Sequence, residues 1–498
     1  MPKVAVAAPS QHSADAGTAL AALGGNAVDA ALASVLVAMV TEPGVCALGA
    51  GGYVTIWGPD DDPVTIDGYM EMPGRGAAPE RFGQGGRTVT FAYGGELTTT
   101  VGHGSVATPG GLKAIASASN RFGVASWHDL FEPAITHVVN GFPLPEACAY
   151  YLQTAFEPIY SRDPVGAKAL SGPNGVLQAG DIVHIDHLAD SLRLIATEGA
   201  DMFYIGDLAA IIADDMAESG GLITRADLEH FVAIDRQPLM SPIADWVVAT
   251  NPAPAIGGAA VTAMLALIGD NPDLLLHAQE AVLGFRRAHL DEAPDRFGPI
   301  DQLIELANTG DWRKVLTAPS TVHVSAVDDR GLGCAVTMSA GYGSGIMPPG
   351  TGIWMNNSLG EIELNRQGFH NLKVGSRLVS NMAPTVARSQ DAVLAIGSPG
   401  ADRITTAIVQ VLVHHFLEGV PFVESIARPR AHVSFSDDGQ AIVRHEPGYD
   451  LGDCTLPTIS FEERHMYFGG VGGAEWSRSG GFSVGADDRR SGGTATSE

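Results

Sequence analysis

Near residue 321 the sequence changes texture, and that change limits the folds open to this chain more than any other feature. Upstream, helical stretches dominate. Downstream, Val322-His323-Val324-Ser325-Ala326-Val327 places β-branched residues at alternate positions, the signature of a strand. Residues 328–333 read as a turn, and Cys334-Ala335-Val336-Thr337-Met338-Ser339 as the returning strand. Ala392-Val393-Leu394-Ala395-Ile396 is a third short strand. It runs into Gly397-Ser398-Pro399-Gly400-Ala401 and then a helix over about 402–417, with Ile404, Ile408, Val411 and Leu412 on one stripe. Strands and helices are mixed without regular βαβ alternation. The pattern predicts a layered α+β sandwich rather than a doubly wound parallel sheet.

The upstream half supplies the helical layers. A helix is expected over 13–23, stopped by Gly24-Gly25, with Asn26 capping a second helix through Val40. That second helix is apolar on most faces and should be buried. The cluster Gly49 to Gly52 precedes a strand at 53–57 rather than a helix, and no Lys follows it. A tight turn packed against other backbone fits it better than a phosphate cradle. Further helices are expected over 110–120, 127–140, 190–198, 208–218 and across most of 255–315. The Gly/Ser/Thr-rich tail from Ala486 predicts a mobile end.

Composition narrows the function. With 56 acidic against 29 basic residues, a formal charge of −27 disfavours binding to a phosphate backbone, so no nucleic-acid partner is expected. The longest apolar run, Ala30 to Val40, is well short of the roughly 18 residues that span a bilayer, and no membrane partner is expected. Cys46, Cys148, Cys334 and Cys454 form no CxxC pair and read as small apolar residues. The start, Met1-Pro2-Lys3-Val4-Ala5, lacks signal-peptide features and is followed by helical pattern, so a cytoplasmic location is expected. Asp60-Asp61-Asp62, between two prolines, reads as a solvated turn. His414-His415, on a helix edge, lacks metal-site spacing. No metal and no cofactor are expected.

Thr321 stands at the mouth of the strand that opens the second half. Its hydroxyl is a poor nucleophile without a base. Cutting the Ser320–Thr321 bond would supply one, because a freed α-amine titrates near about 7.7–8.0. The hydroxyl would first attack the carbonyl of Ser320, turning amide into ester, and water would then release the amine. Spacing alone leaves the plainer reading open, a β-branched residue entering a strand.

Several separated motifs, in order, weigh on that choice. They are Gly24-Gly25-Asn26-Ala27-Val28-Asp29-Ala30, Glu42-Pro43-Gly44 with Gly49 to Gly52, Pro109-Gly110-Gly111 with Gly141-Phe142-Pro143, Thr321-Val322-His323-Val324-Ser325 through Asp328, Gly343-Ser344-Gly345, Gly352-Ile353, Asn356-Asn357, Met382-Ala383-Pro384-Thr385 and Gly397-Ser398-Pro399-Gly400. Through them the chain resembles the γ-glutamyltransferase (γ-glutamyltranspeptidase) family of N-terminal-nucleophile hydrolases, from about Val4 to Arg490. The resemblance implies a four-layer αββα sandwich. It also implies a precursor that matures into two associated subunits, here 1–320 and 321–498, together forming one domain. It assigns Thr321 as nucleophile, Ser339 as the hydroxyl that hydrogen-bonds it, and the N–H groups of Gly400 and Ala401 as the oxyanion hole. Their place between a strand end and a helix N-terminus suits negative charge. His323 reads as structural.

The substrate clamp departs from the pattern. The family's carboxylate-binding Arg, between an aromatic and a Glu, falls at Met70 in Tyr69-Met70-Glu71, and a thioether cannot fork onto a carboxylate. Arg75 is the nearest replacement in sequence. The paired serines become Ser380 and Asn381, and the amino-group contacts become Gly341, Ser358 and Glu361. Three readings stay open. The first is acyl transfer or hydrolysis on γ-glutamyl amides such as glutathione. The second is hydrolysis of another small amide, oxamate-like or an acylated β-lactam. The third is a catalytically silent relative that only binds.

Overall fold

The computed structural model describes every residue except 93–95, 292, 294–295, 310–320, 437 and 498. Ser320, and with it the expected scissile bond, lies outside the described residues.

Two antiparallel sheets carry the molecule. The first has seven strands in the order Ile234–Arg236, Val64–Gly68, Gly51–Trp57, Gly333–Ser339, Val322–Asp328, Val4–Ala8, Gly493–Thr496. The second has six, in the order Leu239–Ile243, Trp246–Thr250, Thr385–Arg388, Ala392–Gly397, Gly472–Ser477, Gly481–Ala486. Each sheet takes strands from both sides of residue 321, interleaved in the first and side by side in the second.

Alternation along the strands sorts the layers. Val4, Val6, Val324 and Val336 face the helix Ala27–Thr41 and its neighbours. Leu394 and Ile396 face the helices Ile256–Ile268 and Arg403–Phe416. Ala5, Val327, Ala335, Val393, Ala395 and Ala474 meet between the sheets, where small side chains permit close approach. The result is the expected αββα sandwich.

Local chemistry explains the elements that sequence reading found. Asn26 accepts from the N–H groups of Val28 and Asp29 while Asp29 accepts from the Asn26 N–H, a full capping box. Every residue of the helix it starts is buried. In the Gly49 to Gly52 cluster, the last two residues are already strand, paired with Ser339 and Met338. A methyl on Gly52 would stand 1.9 Å from the Thr337 carbonyl oxygen, so close backbone approach is indeed why glycine is there.

Two expectations are corrected. The Gly/Ser/Thr-rich tail is not a loose end, because Gly493–Thr496 forms the edge strand of the first sheet against Val4–Ala8. The pattern following Ala5, read as helical, begins instead inside the strand Val4–Ala8. Both errors have one cause: the two strands are stabilised by pairing across almost the whole chain length, which local composition does not reveal. No helix among the described residues is long and apolar enough to cross a membrane.

Candidate active site

Val322 pairs with Met338, and one further step of that register sets Thr321 alongside Ser339. Thr321 is 3% exposed. The Ser339 hydroxyl accepts the Gly341 N–H at 3.0 Å, which fixes its orientation. Val322 and Val324 point into the helix-side core, so His323 and Ser325 turn to the second sheet. The His323 ring presses on Gly397, where an added methyl would meet Cε1 at 2.3 Å. Its Nδ1 contacts Thr337 Oγ1 at 2.8 Å and its Nε2 contacts Ser325 Oγ at 2.7 Å. Burial pushes its pKa down to about 3, so it is neutral at physiological pH with both nitrogens engaged. It braces the sheets and is no proton carrier for Thr321.

The strand Ala392–Gly397 delivers Ser398, Pro399, Gly400 and Ala401 to the start of the helix Arg403–Phe416. Gly400 has φ +128° and Ala401 φ +70°. The latter is a left-handed conformation that a side chain disfavours. Among the described residues, no acceptor meets the N–H of either. Burial alone would raise the pKa of the neighbouring Asp402. Arg403 and His432 instead hold that carboxyl well below the ordinary carboxylate range. Its charge is thus matched beside, rather than inside, the pair of open N–H donors.

Thr321, His323 and Pro399 line a cavity of about 50 Å³ together with Glu42, Asp487 and Arg490. Glu42 accepts a hydrogen bond from Cys148 Sγ at 3.2 Å. Burial pushes its carboxyl up to about 8. Asp487 is gripped by Arg430 at 2.5 Å and Arg489 at 3.0 Å, and Arg489 also pairs with Glu446.

The clamp residues gather a short way off. Met70 is fully buried in an apolar cluster with Tyr53, Tyr69 and Met382, and its sulfur-bearing chain packs under Gly51, which faces Ser339. Ser358 and Ser380 lie beside the Tyr69 phenol, whose pKa burial and the nearby Glu361 raise well above its ordinary value. Glu361 is buried, close to Gly341 and Glu363. Burial and the adjacent Glu363 carboxyl raise its pKa well above the ordinary carboxylate value. Asn381 is buried next to Ser380. Arg75 does not stand in for the missing guanidinium in any direct way, because it pairs with Glu71 at 3.0 Å and Asp227 at 3.4 Å.

The motif asparagines turn out to be fasteners. Asn356 ties Gly49 to Ala107, and Asn357 accepts from the Tyr342 N–H at 2.7 Å. His414 and His415 pair with Glu418 and Glu475, and no metal-binding cluster exists among the described residues. Sequence reasoning quoted Glu42 only as part of a motif and did not single out Asp487 or Arg490 for the site. Nothing local marks the last two, which lie in the tail read as mobile.

Two facing antiparallel sheets between helical layers, with a buried threonine at the mouth of a central strand, fit a sandwich of the N-terminal-nucleophile hydrolase type. A family model described as Gamma-glutamyltranspeptidase matches residues 13–290 and 287–497, and the chain belongs to that family as one of its enzymes. It is 27% identical to a glutathione hydrolase proenzyme of Bacillus subtilis (strain 168), over 82% of this chain and 77% of the relative. It is 28% identical to the Acylase ACY 1 proenzyme of Pseudomonas sp. (strain SE83), over 83% of this chain and 80% of the relative. A cephalosporin acylase structure from Bacillus halodurans shares the fold with a TM-score of 0.81 at 21% identity, covering 99% of this chain and 96% of that one.

Proposed function

We propose that the chain is a self-cleaving threonine amidohydrolase that processes a small amide through an acyl-enzyme. The observation that carries this reading is the register setting Thr321 beside Ser339, at a cavity that Pro399, the residue before Gly400, also lines. In the precursor, Thr321 Oγ attacks the Ser320 carbonyl and the peptide nitrogen leaves as the α-amine. Water hydrolyses the resulting ester, so residues 1–320 and 321–498 become separate, associated chains.

In turnover the α-amine of Thr321 takes the proton from its own hydroxyl. Oγ attacks the substrate carbonyl carbon, and the tetrahedral oxyanion rests on the Gly400 and Ala401 N–H groups. The ammonium proton passes to the leaving nitrogen as the C–N bond breaks. Water, or an acceptor amine, then attacks the ester and restores the hydroxyl. Ser339 holds the nucleophile's hydroxyl in line.

Two substrate readings compete. γ-Glutamyl amides fit the family and the glutathione hydrolase relatives. Another acyl amide fits the buried thioether at Met70, the raised pKa of Glu361 and the likeness to an acylase proenzyme. Clamp erosion favours the second. The same test addresses both. Wild type and Thr321→Ala are compared by electrophoresis and mass spectrometry, then assayed on γ-glutamyl and other acyl anilides. A wild type that splits to give a fragment beginning at 321, beside an intact variant, supports the enzyme. A wild type that stays whole points to a silent binding protein. Turnover of γ-glutamyl anilide alone removes the acylase reading.

A further inference from the structure

Met70 removed a cation from the expected clamp, and most of the cations around the site are already matched. Arg75 and Arg377 hold Glu71, Arg403 holds Asp402, and Arg430 and Arg489 hold Asp487. Arg490 differs from all of them. It lines the Thr321 cavity, yet makes no ion pair among the described residues. Among the described residues its one side-chain acceptor is the Met466 carbonyl oxygen, at 3.4 Å from Nη2. Its buried Nε has no acceptor among the described residues. A methyl built on Gly400 would stand 3.8 Å from Nη2, so the guanidinium sits at the edge of the open N–H pair.

A guanidinium partly withdrawn from water, with unfilled donors, is stable there at a cost that an anion would offset. Asp487, a carboxylate lining the same cavity, cannot serve, because Arg430, Arg489 and the Val471 N–H occupy its oxygens. Close packing holds the Arg490 side chain in place, its stem lying against Gly470 at 2.8–3.1 Å from an added methyl. The cavity of about 50 Å³ exceeds the roughly 30 Å³ that one water occupies, so it admits a small polar group such as a carboxylate.

We infer that Arg490 is the specificity-determining residue of this enzyme, receiving a carboxylate of the amide substrate in place of the guanidinium lost at Met70. The inference rests on the amidohydrolase reading and deepens it: the substrate class is a small amide carrying a free carboxylate within reach of the scissile carbonyl. That carboxylate belongs either to the acyl group or to the leaving amine.

Three chromogenic amides separate the possibilities. Glutaryl 4-nitroanilide carries the charge on the acyl side, butyryl 3-carboxy-4-nitroanilide on the leaving side, and butyryl 4-nitroanilide on neither. Wild type should favour one of the charged amides over the neutral one by tenfold or more in kcat/KM, mainly through KM. Arg490→Gln should lose that preference at least tenfold more than it loses turnover of the neutral amide, and Arg490→Lys should keep part of it. Equal loss on all three, or a wild type without preference for charge, overturns the inference. If the chain neither splits nor hydrolyses any amide, the amidohydrolase reading alone fails. Binding then decides: millimolar glutarate should raise the Tm of wild type and not of Arg490→Gln, and an equal or absent shift in both overturns the site.

Discussion

Glu42 shows how one buried carboxyl reports on the pocket. It was legible only as the first residue of a Glu-Pro-Gly motif, and nothing in that tripeptide says it would be walled in beside Cys148. Its folded pKa, about 8, lies above the ordinary 4.5, so the folded state holds a proton that the unfolded chain releases. Stability is therefore greatest below about 4.5 and falls as pH rises through about 8. In a Thr321→Ala chain kept whole, Glu42→Gln should flatten part of that decline. Urea midpoints taken from pH 5 to 8.5 measure it. Identical slopes with and without the carboxyl would mean that Glu42 is not proton-linked to folding. Glu361 and Glu363, also raised by burial, add to the slope in the same direction.

The strand-to-helix junction at 397–403 was readable as an element, since a short apolar strand, a Gly/Pro turn and a striped helix follow one another without ambiguity. Its conformation was only half readable. An alanine where a second glycine would be easiest demands a left-handed backbone, and Ala401 adopts it at φ +70°. Such a conformation costs about 1–2 kcal/mol, held in place by the buried surroundings. Ala401→Gly should therefore stabilise the fold by up to about 1 kcal/mol after the added flexibility of glycine, roughly 0.5–1 kcal/mol, is subtracted. The readout is the urea midpoint, with anilide turnover followed alongside. A lower midpoint would show that the methyl packs better than it strains. The capping box at Asn26 illustrates the opposite case, where the reciprocal bonds of the box lie within four adjacent residues and sequence is sufficient to read them.

Long-range pairing governs the molecule as a whole. Gly493–Thr496 closes the first sheet against Val4–Ala8, and the Ser497 hydroxyl accepts the Val4 N–H at 2.8 Å. Truncation after Gly492 removes this strand and leaves Arg490 in place. At about 1 kcal/mol per backbone hydrogen bond the loss should be a few kcal/mol, and the exposed Val4–Ala8 edge should pair with other chains. Calorimetry should show a lower Tm and light scattering a growing particle size. An unchanged Tm would mean that the tail closes nothing of consequence. Deletion tolerance judged from the Gly/Ser/Thr composition of this tail predicts the reverse outcome.

By itself the sequence settled the α+β class, the capped and apolar helix behind the first sheet, the strand pair on either side of residue 328 and, through its ordered motifs, the family. These depend on neighbours in the chain, or on residues whose spacing alone is distinctive. The αββα order had come only as an implication of the resemblance. Placing His323 as a brace, raising the pKa of Glu361, pairing Arg75 with Glu71 and Asp227, and leaving Arg490 unmatched in the cavity that Thr321 lines required the assembled layers. Charge in a protein interior is decided by what lies within a few ångströms, and those neighbours come from segments hundreds of residues apart.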